Sequence, residues 1–368
     1  MRNAINCHPI TVLKDFGLDA GGWTIDRHVR LLADTTGDKT MDIVGFGEDG
    51  VWISTNNGNN TFIGSKMVLA AFSYSAGWRT EKHIRFMVDI RNIGRCDIVG
   101  FGDPGVYVSF NNGNGNFSPP ILGISDFGYA RGGWRLDRHL RFLADVTGDG
   151  RPDIVAFGDT DVITSRNNGD GTFGPIRRIV NDFCYGAGWR IEQHPRFVAD
   201  LTGDGRGDII GFGHDGVYVS LNNGSGSFGP VNKVVDGFAQ TWQVDFHPRF
   251  IADLTGDKCG DIVGFAHGAV YVSLNNGDGT FGQPKVVLHN FCVEQGWQVQ
   301  KHPRFLVDLT GNGCADIIGF GDNSVWASFN DGKGGFGQMT KILDAFTFNS
   351  EGEWSLDKTI RYMVNLCR

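Results

Sequence analysis

The stretch that decides the fold runs from Gly133 to Phe183 and reads GWRLDRHLRFLADVTGDGRPDIVAFGDTDVITSRNNGDGTFGPIRRIVNDF. Apolar and polar residues alternate in short runs, which the Gly, Asn and Asp clusters TGDG, GDTD and NNGDG separate. This pattern predicts four strands, at Arg141–Asp145, Asp153–Phe157, Val162–Ser165 and Pro175–Val180. No apolar period of about 3.6 residues continues long enough for a helix, so the pattern indicates an all-β chain.

The same stretch recurs along the chain. Tryptophans open the copies at intervals of 53 to 57 residues, at Trp23, Trp78, Trp134, Trp189, Trp242 and Trp297, with a partial copy from Trp354. A four-stranded meander cannot bury both faces alone, so its copies stack either into a solenoid or radially into a propeller. The chain starts with the tail of a repeat, Ile10–Trp23, and ends with the head of one, Trp354–Asn365, and ring closure needs this offset. We therefore predict a single β-propeller domain over residues 1–368, with six four-stranded antiparallel blades and a ring closed by the terminal segments. A truncated seventh blade stays an alternative.

Composition excludes several classes of protein. The chain has 33 Lys and Arg against 41 Asp and Glu, a net charge of −8, and no basic run, which argues against a nucleic-acid binder. Seven cysteines lie at irregular places without a CxxC pair, so neither a disulfide framework nor a zinc site is indicated. No export signal and no apolar stretch of about 18 residues is present, so we expect a soluble protein, cytoplasmic or secreted by an unconventional route, without membrane insertion.

Carboxylates recur in the loop after the first strand of each copy. The pattern D-x-T-G-D-x-x-x-D spaces them four apart across a glycine turn, and such oxygens are the ligands that Ca²⁺ prefers. The candidate structural calcium ligands are Asp34, Asp38, Asp42, Asp145, Asp149, Asp153, Asp200, Asp204, Asp208, Asp253, Asp257 and Asp261. The last copy has Asn312 at the middle position, and the second copy has Ile93, which binds no metal. Asx turns, in which the aspartates accept backbone N–H groups, are the alternative.

A histidine and an arginine two residues apart mark the entrance to each blade, on the face opposite the TGDG loops. The pairs are His28 and Arg30, His83 and Arg85, His139 and Arg141, His194 and Arg196, His247 and Arg249, and His302 and Arg304. On extended chain the two side chains point the same way. A carboxylate two residues before the histidine, such as Asp137, could orient either partner. Packing between blades, with arginine paired to a neighbouring acid, is the alternative.

An aromatic residue near the start of the third strand lies on the same face in five copies, at Trp52, Tyr107, Tyr218, Tyr271 and Trp326. The third copy has Ile163 instead. A flat ring beside histidine and arginine donors is typical of a sugar site, since the apolar face of a pyranose stacks on the ring. The ordinary β propensity of Tyr and Trp is the alternative. We interpret the entrance tryptophans as packing wedges between blades.

The motifs GWxxDxHxRFxxDxTGDGxxDIxGFG and GVYVSxNNGxGxF resemble those of fungal β-propeller lectins of the Psathyrella velutina lectin type, from about Ile10 to Asn365. The TGDG segment also resembles the FG-GAP repeats of integrin α-subunit propellers. The first resemblance implies that terminal N-acetylglucosamine (GlcNAc) binds in pockets between neighbouring blades, with Ca²⁺ in some loops. Ile93 and Ile163 depart from the pattern, which affects the metal of the second copy and the stacking platform of the third.

We therefore predict a non-catalytic lectin that binds GlcNAc-terminated glycans and glycoproteins through the His–Arg pairs and third-strand aromatics. Single sites should be weak, with Kd on the order of mM, and several sites acting together should supply avidity. One alternative is a protein-interaction scaffold of the integrin-head kind. The other is a glycosidase, although six near-equal copies offer no unique pair of carboxylates with different pKa values.

Overall fold

The computed structural model describes residues 8–59, 61–113, 115–350 and 354–364. Those residues form six four-stranded antiparallel sheets, which we call blades 1 to 6 in chain order, one two-stranded hairpin, and one 3₁₀ turn at Val293–Gln295. Within every blade the strands neighbour each other in chain order, which is the predicted meander. No helix in the described part of the chain has the length and apolar character needed to cross a membrane.

Blades 1 to 3 belong to a compact unit of Ile10–Ile179 with Lys358–Arg368. Blade 1 has strands β1 (Val29–Ala33), β2 (Asp42–Phe46), β3 (Val51–Ser54) and β4 (Lys66–Leu69). Blade 2 has β5 (Ile84–Val88), β6 (Asp97–Phe101), β7 (Val106–Ser109) and β8 (Ile121–Ile124). Blade 3 has β9 (Leu140–Ala144), β10 (Asp153–Phe157), β11 (Val162–Ser165) and β12 (Arg177–Val180), within a residue or two of the strands predicted for this copy.

Blades 4 to 6 belong to a second compact unit, within residues 180–350. Blade 4 has β13 (Arg196–Ala199), β14 (Asp208–Phe212), β15 (Val217–Ser220) and β18 (Asn232–Val235), with the hairpin β16 (Asn222–Gly224) and β17 (Ser227–Phe228) before its last strand. Blade 5 has β19 (Arg249–Ala252), β20 (Asp261–Phe265), β21 (Val270–Ser273) and β22 (Lys285–Leu288). Blade 6 has β23 (Arg304–Val307), β24 (Asp316–Phe320), β25 (Val325–Ser328) and β26 (Thr340–Leu343).

The C-terminal segment packs on blade 1. The Tyr362 hydroxyl donates to the backbone carbonyl of Arg30 at 2.6 Å, within the unit that holds both residues. The described residues contain no seventh four-stranded sheet.

The second strands of the blades form the buried core. Every residue of β6, β10, β14, β20 and β24 is buried, whereas the fourth strands begin with exposed residues. Phe101, Phe157, Phe212 and Phe265 have 0% exposure at the end of these strands. Removing such large apolar side chains from water is the main favourable contribution to folding.

In five blades the entrance tryptophan packs against a glycine in the middle of the second strand, whereas blade 3 has Ala156 at this position. The Cη2 atom of Trp78 would lie 2.5 Å from a Cβ atom on Gly100, so this close approach requires glycine. The same contact pairs Trp189 with Gly211 and Trp297 with Gly319. This packing agrees with the interpretation of the tryptophans as wedges, and it fixes the ring that lines each pocket described below.

Candidate functional site

A tight turn holds each entrance histidine. In blade 3 the backbone N–H of Arg135 donates to Nδ1 of His139 at 3.1 Å, and the His139 N–H donates to the Arg135 carbonyl at 2.9 Å. The other five histidines accept the same bond at 3.1 to 3.2 Å. The Trp134 and His139 ring centroids are 5.0 Å apart in an edge-on contact. Because Nδ1 is an acceptor, the neutral imidazole carries its proton on Nε2.

The Nε2 atom faces a carboxylate that arrives from the turn after the second strand. His83 lies 3.1 Å from Oδ1 of Asp103, and His302 lies 3.2 Å from Oδ1 of Asp322. His139 and Asp159 are 3.0 Å apart, and His28 and Glu48 are 3.5 Å apart. In each pair the carboxylate comes twenty residues after its histidine.

In three of these blades, the basic residue just before the histidine forms an ion pair with the same carboxylate. The contacts are Arg27 to Glu48 at 2.6 Å, Arg138 to Asp159 at 2.6 Å and Lys301 to Asp322 at 2.5 Å. The side chains of these acids are 44 to 53% exposed. The carboxylate is therefore oriented from the protein side and still open to solvent.

In three blades, the entrance histidine and the residue twenty positions after it line a cavity. The blade 2 cavity, of about 270 Å³, is lined by Trp78, His83, Asp103 and Tyr107 among others. The blade 1 cavity, of about 520 Å³, is lined by the equivalent Trp23, His28, Glu48 and Trp52. The blade 5 cavity, of about 560 Å³, is lined by Trp242, His247, His267 and Tyr271. The same four positions thus build each of these pockets.

A β-bulge aims the third-strand aromatic at its pocket. The pairing of the third and fourth strands shifts register at the aromatic residue in blades 1, 2, 4, 5 and 6, for example between Val106 and Tyr107. Bulges redirect side chains and are common beside functional sites. The Trp78 and Tyr107 rings then meet edge to face at 6.3 Å. Blade 3 has the aliphatic Ile163 here, which packs against the apolar core, as Tyr107, Tyr271 and Trp326 also do.

The arginines of the predicted His–Arg pairs are buried and bond to backbone carbonyls, and their contact with sugar stays a prediction. Arg141 donates from Nη1 to the backbone carbonyl of Phe127 at 2.9 Å, and its guanidinium lies 5.5 Å from the ring centre of Phe101 in blade 2. The Nε and Nη2 atoms of Arg141 are buried and have no hydrogen-bond partner among the described residues. Arginine–carbonyl bonds of this kind are made by all six residues, namely Arg30, Arg85, Arg141, Arg196, Arg249 and Arg304.

Each arginine makes this buried bond because the phenylalanine that it binds has an unusual backbone conformation. Phe127 has a φ of 62°, in the left-handed region that bulky residues rarely adopt. The Asp126 side chain accepts the Phe127 N–H while Arg141 donates to the Phe127 carbonyl, so both backbone groups are fixed. Arginine here stabilises the connection between blades. Its partner is a carbonyl rather than the acid that the packing alternative proposed.

Burial lowers the pKa of all six entrance histidines from the ordinary value of 6.5. The hydrogen bond to the carboxylate raises the pKa of His83, His139 and His302, but less than burial lowers it. Burial also lowers the pKa of Arg141 to about 10. At neutral pH the pockets therefore contain neutral imidazoles that donate through Nε2.

The TGDG carboxylates face their own backbone. Asp145 accepts N–H groups from Thr147, Gly148 and Gly150 at 2.7 to 3.0 Å. Asp153 is fully buried and accepts the Asn167 N–H at 2.8 Å, which ties two loops together. Asp34, Asp200 and Asp253 make the same Asx-turn bonds, and Asp42, Asp208, Asp261 and Asp316 make the same buried ones.

In blade 3 the middle carboxylate of the loop also has protein partners. Asp149 accepts the Arg151 N–H and pairs with the Arg151 guanidinium at 2.6 Å, rather than turning toward Asp145. Across the described ranges, no three His, Cys, Asp or Glu side chains converge as metal ligands would. Calcium binding stays a prediction from the sequence, and the geometry favours the Asx-turn alternative.

Sequence reasoning found two parts of the pocket and missed a third. The histidines and the third-strand aromatics come together as predicted at the cavities of blades 1, 2 and 5. The residue twenty positions after the histidine was missed, although alignment of the copies shows a polar side chain there in every one: Glu48, Asp103, Asp159, His214, His267 and Asp322. The carboxylate two residues before the histidine, predicted to orient it, does not contact the imidazole in blade 3, where Asp159 does.

Among solved structures, an Agrocybe aegerita lectin, described for its specific recognition of non-reducing terminal N-acetylglucosamine, matches with a TM-score of 0.97. The two chains are 58% identical, and the match covers 100% of this chain and 92% of the lectin. The Photorhabdus luminescens Tc holotoxin pore matches with a TM-score of 0.57 and 18% identity over 90% of this chain and 15% of that one, which shows the fold alone. No family model and no curated protein matches the chain.

The full-length match confirms the predicted all-β fold, a six-bladed propeller of four-stranded antiparallel blades. The match places the chain among the β-propellers of the lectin class. The chain belongs to the family of fungal β-propeller lectins that contains the Agrocybe aegerita lectin.

Proposed function

We propose that this chain is a lectin for glycans that end in non-reducing N-acetylglucosamine, which bind in the repeated pockets. The observation that carries the proposal is the 58% identity, over the full chain, to a lectin that recognises this sugar. The pockets support it, because each of the three cavities above joins an aromatic ring to polar groups at one end. This combination suits a pyranose, which has an apolar face and a rim of hydroxyls.

Each pocket group has a separate role in this proposal. In blade 2 the Tyr107 ring offers a surface for the apolar face of the sugar. The Asp103 carboxylate accepts hydrogen bonds from sugar hydroxyls, and charge-assisted bonds of this kind are about twice as strong as neutral ones. His83, 3.1 Å from Asp103, holds that carboxylate in place. Because His83 is itself anchored by the Arg79 N–H, the pocket is organised before a ligand arrives.

Repetition of the pocket suits multivalent binding to glycoproteins or glycan-coated surfaces. A monosaccharide that buries one face on a single ring binds weakly, with Kd on the order of mM. Several sites that engage one surface raise avidity by roughly 10²–10⁴ without new contacts. A multivalent lectin should therefore agglutinate cells or glycoprotein-coated beads although each single site is weak.

A glycan array tests the proposal. Full-length chain should bind glycans with terminal GlcNAc and not the same glycans after β-galactose capping, and free GlcNAc should compete. Asp103→Asn should weaken bead agglutination, while Asp170→Asn, at an exposed carboxylate that lines none of the three cavities, provides a surface control. An array without GlcNAc-dependent signal from folded protein would overturn the proposal.

A further inference from the structure

The pocket positions of the six blades are of two chemical kinds. Twenty residues after the entrance histidine, four blades have a carboxylate, Glu48, Asp103, Asp159 or Asp322, whereas blades 4 and 5 have His214 and His267. The residue just before the entrance histidine differs in the same two blades. It is basic in the four carboxylate blades, at Arg27, Lys82, Arg138 and Lys301, and uncharged in the other two, at Gln193 and Phe246.

The carboxylate pockets present a strong acceptor. Asp103 and Asp159 each take one hydrogen bond from a buried imidazole, and their side chains are 55 and 53% exposed. A carboxylate has about four lone-pair sites, so capacity remains for hydroxyl donors from a ligand. Arg138, at 2.6 Å from Asp159, keeps that carboxylate charged and fixed.

The imidazole pockets present donors instead. His247 accepts the Gln243 N–H at Nδ1, so its Nε2 carries a proton, and no described residue accepts a hydrogen bond from it. His194 has the same arrangement with Arg190. His247 and His267 line one cavity of about 560 Å³, so two imidazoles face the space where the other blades have a carboxylate.

Other carboxylates near these two pockets already have protein partners. Asp215 accepts from the Tyr218 hydroxyl at 2.6 Å and pairs with Lys233 at 3.2 Å. Asp236 pairs with Lys233 at 2.6 Å, and Glu294 lies 3.9 Å from Nε2 of His267. None of them takes the place of the carboxylate beside the entrance histidine.

We propose that the residue twenty positions after the entrance histidine determines which pockets bind neutral sugar. Four pockets, which we call the strong sites, bind GlcNAc with Kd on the order of mM, and the pockets of blades 4 and 5 bind it at least roughly tenfold more weakly. The inference rests on the function proposed above. It follows from the loss of the carboxylate acceptor beside the entrance histidine, in a pocket that otherwise keeps its Trp, His and Tyr.

Equilibrium dialysis of the full-length chain with radiolabelled GlcNAc tests this division. Wild type should show four strong sites. Blade 4 should gain a strong site in the double variant Gln193→Lys, His214→Asp, which raises the number to five. Blade 3 should lose its site in the reverse double variant Arg138→Gln, Asp159→His, which lowers the number to three.

His289→Asp provides the control, because this exposed histidine on the connection after blade 5 lies outside the pocket positions. It should leave the number of strong sites at four. Thermal melting confirms that each variant is folded. Six equal sites in wild type, or no added site in a folded blade 4 variant, would overturn the inference. Absence of any GlcNAc binding in wild type would instead overturn the function on which it rests.

Discussion

His139 donates from Nε2 to Oδ1 of Asp159 across 3.0 Å, and the two side chains differ sharply in exposure. The imidazole is 5% exposed, whereas the carboxylate is 53% exposed. The histidine is therefore a positioning residue, and the proposed function makes the carboxylate the group that contacts a ligand. The same hydrogen bond is found in blades 2 and 6, and His28 lies 3.5 Å from Glu48 in blade 1.

Neutralising the carboxylate should weaken a single pocket. Asp159→Asn keeps the shape of the side chain but removes the charged acceptor, so GlcNAc affinity in blade 3 should fall roughly tenfold to a hundredfold. Equilibrium dialysis should show one strong site fewer. Asp161→Asn, on the same turn and paired with Arg178, provides the control and should keep every site. Equal binding by the two variants would contradict the role of Asp159.

The pKa of His139 should reflect two opposing effects, burial and the hydrogen bond to its carboxylate partner. Burial lowers its pKa from 6.5, and Asp159 partly opposes that change. NMR titration should therefore find the pKa of His139 below 6.5, and lower still in Asp159→Asn. A pKa that rises in this variant would contradict the contact.

The direction of the pKa shift of His139 determines how its titration changes the stability of the folded state. Because the folded pKa is depressed, the unfolded chain takes up the proton first, so stability is lost as the pH falls from about 6.5 through the folded pKa. Burial raises the pKa of Asp208 and Asp261 to about 6, which favours the folded state as those carboxyls become protonated. Melting curves combine these opposite effects, whereas NMR separates them.

Removing a buried arginine should affect stability more than binding. Arg141→Ala leaves the Phe127 carbonyl without its donor and a cavity beside Phe101, so the free energy of unfolding should fall by about 2–4 kcal/mol. Arg177→Ala, at an exposed strand position, should change it by less than about 0.5 kcal/mol. Urea unfolding measures both. Unchanged stability together with a lost sugar site would establish Arg141 as a ligand contact.

An aromatic residue should improve the blade 3 pocket. Ile163→Tyr introduces the stacking ring that the other blades have, and GlcNAc affinity there should rise roughly twofold to tenfold. Ile163→Leu, which adds no ring, should leave the affinity near that of wild type. Dialysis against labelled sugar compares the two. An equal gain from leucine would show that the effect comes from packing rather than stacking.

Removal of calcium should leave the protein unchanged. The Asp145 carboxylate is occupied by three backbone N–H groups, so a chelator should not shift Tm, and added calcium should not raise it. Differential scanning calorimetry with and without EDTA checks this. A fall in Tm on chelation that calcium reverses, and that Asp149→Asn abolishes, would establish the calcium site predicted from the sequence.

The repeat predicts the fold well because the same local signals recur in every copy. Alternation in DIVAF and the turn residues of NNGDG define strands without reference to distant residues, and the strand bounds at Asp153–Phe157 and Val162–Ser165 agree with the structure. The entrance histidine and the aromatic at Tyr107 are also found, since both repeat at fixed places in the pattern.

The remaining parts of the site form from contacts between residues that are far apart in the sequence. Arg141 lies two residues after His139, and this spacing predicts side chains on the same side of the strand. The guanidinium of Arg141 instead donates to the buried carbonyl of Phe127, and the positive φ of Phe127 that presents this carbonyl is not revealed by spacing alone. Asp159 meets His139 only because the second strand brings its turn back to the blade entrance. Its position also varies among Glu, Asp and His, which obscures it in a search for identical residues.

The most direct test is a crystal structure of the full-length chain soaked in saturating N-acetylglucosamine. The sugar should occupy the blade 2 pocket with its ring against Tyr107 and hydroxyls within hydrogen-bond distance of the Asp103 carboxylate. Sugar bound elsewhere, or a blade 2 pocket without density at a concentration that saturates binding in solution, would contradict the proposed lectin site.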